Sequence, residues 1–197
     1  MIIAVIISAV LLSISFDKSN DATATEEDTE DIEAIQLESL KNFHLKTGGE
    51  TWINSDGWNL TGDDKTHHCT WFGIRCGGLN DVQSISLPNN NLTSSDYDFA
   101  EIQNITSIQE LDLSLNSLDG DVTNLTTFLS SLSAFRKFDF RFNIAISGIV
   151  SSEICSNSDV SILVDCFIDC ECCDHEALCD CVDMVDFEDS EGNNCLW

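Results

Sequence analysis

The chain has 197 residues, 43% of them hydrophobic, which is enough apolar material for one continuous core plus tails. Thirty-five Asp and Glu against eight Lys and Arg leave a formal charge of -27. That charge argues against nucleic acid and anionic lipid, both polyanions, and favours solubility, cations or basic partners. Ten cysteines are more than a protein kept in a reducing compartment usually carries.

Met1 to Phe16 is apolar apart from Ser8, Ser13 and Ser15. The run falls short of the roughly 20 residues that span a bilayer, and Ser13 and Ser15 stand at the small-residue positions of a cleavage site. Residues 1–15 therefore read as a secretory signal peptide. No Lys or Arg precedes the apolar run, so a signal anchor that associates the protein with a membrane stays open. Residues 16–31, with Glu26, Glu27, Asp28, Glu30 and Asp31, have too little to bury and read as an acidic linker.

Ile32, Ile35, Leu40 and Phe43 mark one face of a helix, with Lys41 and Lys46 near its carboxyl end and Gly48 and Gly49 to stop it. Trp52 and Trp58 follow, then Cys69-Thr-Trp-Phe-Gly-Ile-Arg-Cys76. Six residues between Cys69 and Cys76 make a bridge sterically easy. A zinc reading that uses His67 and His68 beside Cys69 lacks the paired C-x-x-C spacing of structural sites.

Three stretches then share one spacing: Val82, Ile85, Leu87, Asn90, Leu92; Ile108, Leu111, Leu113, Asn116, Leu118; and Phe135, Phe138, Phe140, Asn143. Leu111 and Leu113 sit two apart and point to one side of a short strand, while Asp112 and Ser114 point to the other. The Asn side chain that follows can satisfy backbone groups left unpaired by a tight turn. Asn143-Ile-Ala-Ile-Ser-Gly148 is one residue longer than Asn116-Ser-Leu-Asp-Gly120, which predicts an irregular turn in the third copy. Val160, Leu163 and Asp165 read as a degenerate fourth copy.

These stretches match the L-x-x-L-x-L-x-x-N-x-L skeleton of a leucine-rich repeat. The helix, the Gly48-Gly49-Glu-Thr-Trp52 turn, Trp58 and the C-x-W-x-G-I-x-C segment resemble the amino-terminal cap of plant-type leucine-rich repeat proteins. Similar caps and tails occur in leucine-rich repeat proteins predicted from algae, and the resemblance runs from about Ile32 to about Asp165. It implies an α/β fold, a short right-handed solenoid of three to four repeats with parallel strands on the concave face. A helical cap stapled by Cys69–Cys76 would cover one end and a Cys-rich cap the other. The implied division is 32–81 cap, 82–154 repeats and 155–197 Cys-rich acidic cap and tail. Departures are Thr123, where plant-type repeats commonly carry Pro, and Leu92-Thr-Ser-Ser95 after Asn91.

Asn59, Asn91, Asn104 and Asn124 head N-x-[ST] sequons and are candidate glycan sites, Asn91 the least accessible beside the turn residue Asn90. Cys155 and Cys166 are expected to bridge across the last strand. Six further cysteines, from Cys170 to Cys195, allow three bridges whose pairing the spacing leaves open. Cys170, Cys172, Cys173, His175, Cys179 and Cys181 would accept zinc in a reducing compartment, whereas export favours disulfides. A D-x-[DN]-x-[DN]-G calcium loop is not among the motifs.

His44, His67, His68 and His175 lie outside any G-x-S-x-G, H-E-x-x-H or P-loop setting, so the expectation is a non-enzyme without a cofactor. The outward strand residues form columns: Ser84, Glu110, Lys137; Ser86, Asp112, Asp139; Pro88, Ser114, Arg141; and Asn89, Leu115, Phe142 beside the turn. Arg136, Lys137 and Arg141 cluster in an otherwise acidic chain. They either make a contact patch with Leu115 and Phe142 or neutralise Glu110 and Asp139. The expected function is a secreted or surface-held recognition module that binds a macromolecule, protein rather than polysaccharide, on this face. A structural cell-wall or mineral-matrix protein acting through its acidic tail is the alternative.

Overall fold

The computed structural model describes residues 26–58, 67–165 and 168–170. Helix α1 (Glu26–Lys46) reaches six residues back into the acidic segment, as acids at a helix amino terminus allow. Gly48, at φ 69°, adopts the left-handed conformation that ends it. The orphan carbonyl of Thr47 is satisfied twice, by the Trp52 indole N–H and by the Thr93 amide, each at 3.0 Å.

The buried face of α1 is not the one expected. Leu40 and Phe43 are buried, but Ile32 and Ile35 are half exposed, and Gln36, Ser39 and His44 take the inner face. Gln36 is inside for a polar reason: its Oε1 accepts the amide of Val82 at 2.6 Å, closing a backbone donor at the head of the first repeat. Phe43, Trp52, Trp58 and Trp71 then pack ring against ring, with successive centroids 6.0, 4.8 and 4.8 Å apart.

Strands β1 (Ile74–Cys76), β2 (Val82–Ser86), β3 (Glu110–Asp112), β5 (Lys137–Asp139) and β8 (Ser161–Leu163) form one sheet in that order. β1 runs antiparallel to β2, and the other neighbours are parallel. Ile85, Leu111, Phe138 and Ile162 align across the parallel strands, and all four are fully buried. Each buried side chain of this size contributes about 1.5–3 kcal/mol, so the aligned column stabilises the stacking of neighbouring strands.

The fourth copy is shifted by one residue from the expected reading. Ile162, not Leu163, pairs with Phe138, and Val160, Ile162 and Val164 go inward. A one-residue slip moves a strand residue to the opposite face, so Leu163 lies on the outward side.

On the far side of the core, β4 (Asp119–Asp121) pairs in parallel with β6 (Ala145–Ser147), and β7 (Ile149–Val150) with β9 (Asp169–Cys170). Short helices α2 (Thr123–Ser130) and α3 (Ser152–Cys155) complete that side. The longer third turn is accommodated at Ile144 and Ala145, both exposed, so Ile146 is the residue that returns to the core. Cys69 and Cys76 are bridged with Cα atoms 5.4 Å apart. Cys155 is also disulfide-bonded, while its expected partner Cys166 lies outside the described residues.

Candidate binding face

The expected columns come together in register. Ser84, Glu110, Lys137 and Ser161 align across the sheet, as do Ser86, Asp112, Asp139 and Leu163. Pairing continues past the strands, since Asn89 N–H donates to Ser114 O at 2.9 Å and Leu115 N–H to Arg141 O at 2.8 Å. Ser114, Leu115, Arg141 and Phe142 therefore extend the same face toward the turns.

The basic residues on this face are paired with acids, in a pattern finer than either reading of the sequence. Lys137 Nζ lies 2.7 Å from Asp112 and 3.8 Å from Asp139. Arg141 forms a two-pronged contact with Asp139, Nε at 3.1 Å and a terminal nitrogen at 2.9 Å. Lys137 stands opposite Glu110 as expected but does not neutralise it: Glu110 is held by Arg75 at 3.1 Å. Arg75 comes from β1, opposite Ser84, and the small serine lets it cross to β3. Neither β1 nor Arg75 belongs to the repeat spacing, and no sequence signal singled them out. Arg136 points elsewhere, donating to Ser133 O and Phe135 O.

Burial pushes the Asp112 carboxyl up, but hydrogen bonds from Lys137 and Ser114 outweigh it and hold the group below the ordinary carboxylate value. Asp112 is thus held ionised at neutral pH. A shallow depression of about 470 Å³ opens at the β1–β2 end, lined by Phe72, Ile74, Arg75, Ser84, Ser86 and Pro88 among others.

Beside the ion pairs runs the turn column Asn89, Leu115, Phe142, with φ of 49°, 59° and 62°. Asn tolerates this left-handed conformation; for Leu and Phe it costs about 1–2 kcal/mol. Leu115 is 49% exposed and Phe142 half-buried.

Of the sequon residues, Asn59 lies outside the described residues, and Asn91, Asn104 and Asn124 are exposed. Asn91, expected to be the least accessible, is held by a 2.9 Å bond from its amide to Thr51 O but faces solvent. The clustered tail residues from Cys172 onward, and Met1 to Phe16, also lie outside the described residues. Among the described residues no helix is long and apolar enough to cross a membrane.

The described residues define a mixed α/β chain built on a mostly parallel sheet. No family model matches the chain. Among solved structures it is similar to the BIR2 ectodomain from Arabidopsis thaliana, with 19% identity and a TM-score of 0.48 over 66% of this chain and 80% of that one. It is also similar to a chain of the BIR3–SERK2 complex from Arabidopsis thaliana, with 21% identity and a TM-score of 0.48 over 70% and 68% of the two chains. A third is the PEPR1–AtPEP1 structure, at 18% identity and TM-score 0.48, where the match covers 66% of this chain but 18% of that one.

Proposed function

We propose that this chain is a non-catalytic recognition module, a short leucine-rich repeat solenoid that binds a protein ligand on the concave face of its sheet. The reading is carried by Leu115 and Phe142: two apolar side chains side by side in a left-handed backbone, one of them half exposed. Asn or Gly at these positions would relieve the strain, so folding alone does not explain Leu and Phe there. Around them the Lys137–Asp112 and Arg141–Asp139 pairs are already formed, so few side chains would need ordering on binding. An apolar ridge bordered by fixed charges suits a protein surface better than a polysaccharide.

The same reading puts the protein outside the cell or on its surface, with residues 1–15 as signal peptide or anchor and 16–31 leading into the cap at 32–81. Repeats occupy 82–154, and a bridge from Cys155 to Cys166 opens the carboxyl-terminal cap at 155–197. Exposure of Asn91, Asn104 and Asn124 agrees with their use as glycan sites. The test is to capture ligands from the native host by cross-linking and to measure the verified ligand against the Lys137→Ala, Arg141→Ala, Phe142→Ala triple variant. At least a tenfold loss is expected, and unchanged affinity in a folded variant would remove this face from the proposal. The matrix-protein alternative rests on tail composition, and deleting residues 169–197 separates the two. A recognition module keeps its ligand, whereas a matrix protein loses cation or mineral association.

A further inference from the structure

We propose that His67, His68, Cys69 and Cys76 form a tetrahedral zinc site when the Cys69–Cys76 disulfide is reduced. The ligand atoms of His67, His68 and Cys69 all lie within 4.8 Å of one another, and Cys76 is brought to the same point by the bridge. The spacing of these residues is not that of a zinc motif; the fold assembles them. The 3-10 turn His68–Thr70 presents two of them and its N-cap His67 a third, and strand β1 presents Cys76.

The His68 imidazole carries the outer contact that zinc ligands have. His68 Nε2 lies 3.1 Å from the backbone carbonyl of Asn80, which can only accept, so Nε2 carries the proton and Nδ1 keeps its lone pair. In His67 the Nδ1 lone pair faces the Cys69 amide at 3.2 Å, which places the proton on Nε2, 2.9 Å from the Glu33 carboxylate. A metal-bound histidine characteristically donates its other N–H to a carboxylate or a backbone carbonyl; His68 has the carbonyl of Asn80, and His67 has the Glu33 carboxylate within ion-pair distance but without a formed hydrogen bond. The rings stack with centroids 4.6 Å apart beside Cys69, whose Sγ lies 3.6 Å from the same Asn80 carbonyl that His68 Nε2 meets, so zinc binding through His68 Nδ1 requires the ring to turn. The Cys69 amide occupies His67 Nδ1, and metal coordination would replace that bond. Asn80 is held over His68 by the 77–81 loop, where Gly77 N–H donates to Asp81 O at 2.8 Å.

The chemistry balances with a dithiol reductant. Thiolate attack opens the Cys69–Cys76 bond through a mixed disulfide; the reductant leaves as its own disulfide, and both cysteines become thiols. Zinc then displaces one proton from each thiol and binds two thiolates and two neutral imidazoles, a Cys2His2 set without net charge. Cα atoms 5.4 Å apart keep both sulfurs within reach of one ion. His67 and Glu33 are partly exposed and provide the entry path, while His68 is buried. The cap thus keeps a cross-link between the 3-10 turn and β1 in either redox state. This inference does not depend on the proposed ligand-binding face.

The full-length chain, reduced anaerobically with a non-chelating phosphine, is titrated with Zn2+ against a chromophoric chelator and separately with Co2+. Because reduction also frees the chain's other cysteines as thiolate ligands, the readout is the difference from a Cys69→Ser, Cys76→Ser double variant and from His67→Gln, each checked for native circular dichroism. The wild type is expected to hold one zinc more than the double variant. His67→Gln should bind that zinc about 10–100-fold more weakly, with Glu33→Ala weakened over the same range as a positioning residue. Histidine 15N shifts should report Nδ1 coordination at both rings. Equal zinc content in wild type and double variant, or affinity in His67→Gln within twofold of wild type, overturns the site.

Discussion

The side-chain oxygen of Asn116 accepts the backbone amides of both Asn90 and Leu92, each at 3.0 Å, from the preceding turn. Its amide nitrogen donates to the carbonyls of Leu87, Leu113 and Ser114 at 2.9, 2.9 and 3.0 Å. One buried side chain therefore ties two consecutive repeats together. Asn143 does the same one step on, accepting from Leu118 N–H and donating to Leu113 O and Phe140 O. At the end of the described stack Asp165 supplies acceptors alone, for the amides of Phe142 and Asn143.

Asn116→Ala should destabilise the fold by about 3–5 kcal/mol, because two buried amides and at least one carbonyl lose their partner at roughly 1–3 kcal/mol each. Urea unfolding measures it. A cost below 1 kcal/mol would mean that water enters the turn and replaces the side chain.

Leu115→Asn should behave oppositely, raising stability by roughly 1 kcal/mol through relief of the left-handed strain. The same variant should weaken the ligand complex, and the two effects are read by denaturation and by affinity for the captured ligand. Stabilisation with unchanged affinity would make Leu115 a neutral accident of the turn.

Acid should loosen the packing around His44 and His68 before it affects the parallel sheet. Burial lowers the pKa of His44, against an opposing pull from Glu50, and burial also lowers that of His68, against its bond to Asn80. Both groups bind protons less readily folded than unfolded. Their contribution is therefore complete above the unfolded value of 6.5 and is lost as pH falls from there through the folded values. Asp112, also lowered, adds the same sign of effect below its ordinary value of 3.8. The expected result is a denaturation midpoint that is flat above pH 7 and falls below it, with tryptophan fluorescence changing first. A His44→Gln, His68→Gln double variant should flatten the decline between pH 7 and 5.

Gly120 is predicted to reject any side chain. A Cβ there would run into the backbone carbonyl of Tyr97, whose amide and carbonyl bond to Asp119 and Asp121 at 3.1 Å. Gly120→Ala should cost about 1–3 kcal/mol, since the obstacle is main chain and must shift as a unit. Thermal unfolding of the variant measures this, and a cost near zero would mean that the outer strand moves easily.

What the sequence by itself determined is the content of each repeat. Period-two leucines or phenylalanines and an Asn at constant offset are relations within a few residues of chain, and they brought Leu111, Phe138 and Asn116 to the positions read from spacing alone. Those same offsets placed Glu110, Asp112, Lys137 and Asp139 side by side, so the columns of the candidate face were legible. Relations between segments were not. Which acid Lys137 meets depends on the reach of a side chain across neighbouring strands, and Arg75 takes Glu110 because the antiparallel β1 folds back beside β2. Likewise Ile32 and Ile35 share a helix with Leu40, yet the body of the fold covers only part of that helix and a buried Gln36 serves the amide of Val82. The one-residue shift at Ile162 has the same origin: with only a weak repeat of its own, the strand takes the register that puts Val160, Ile162 and Val164 into the core. Local spacing states which side a residue faces, whereas its partner is set by inter-strand register and loop path, which only the assembled tertiary structure contains.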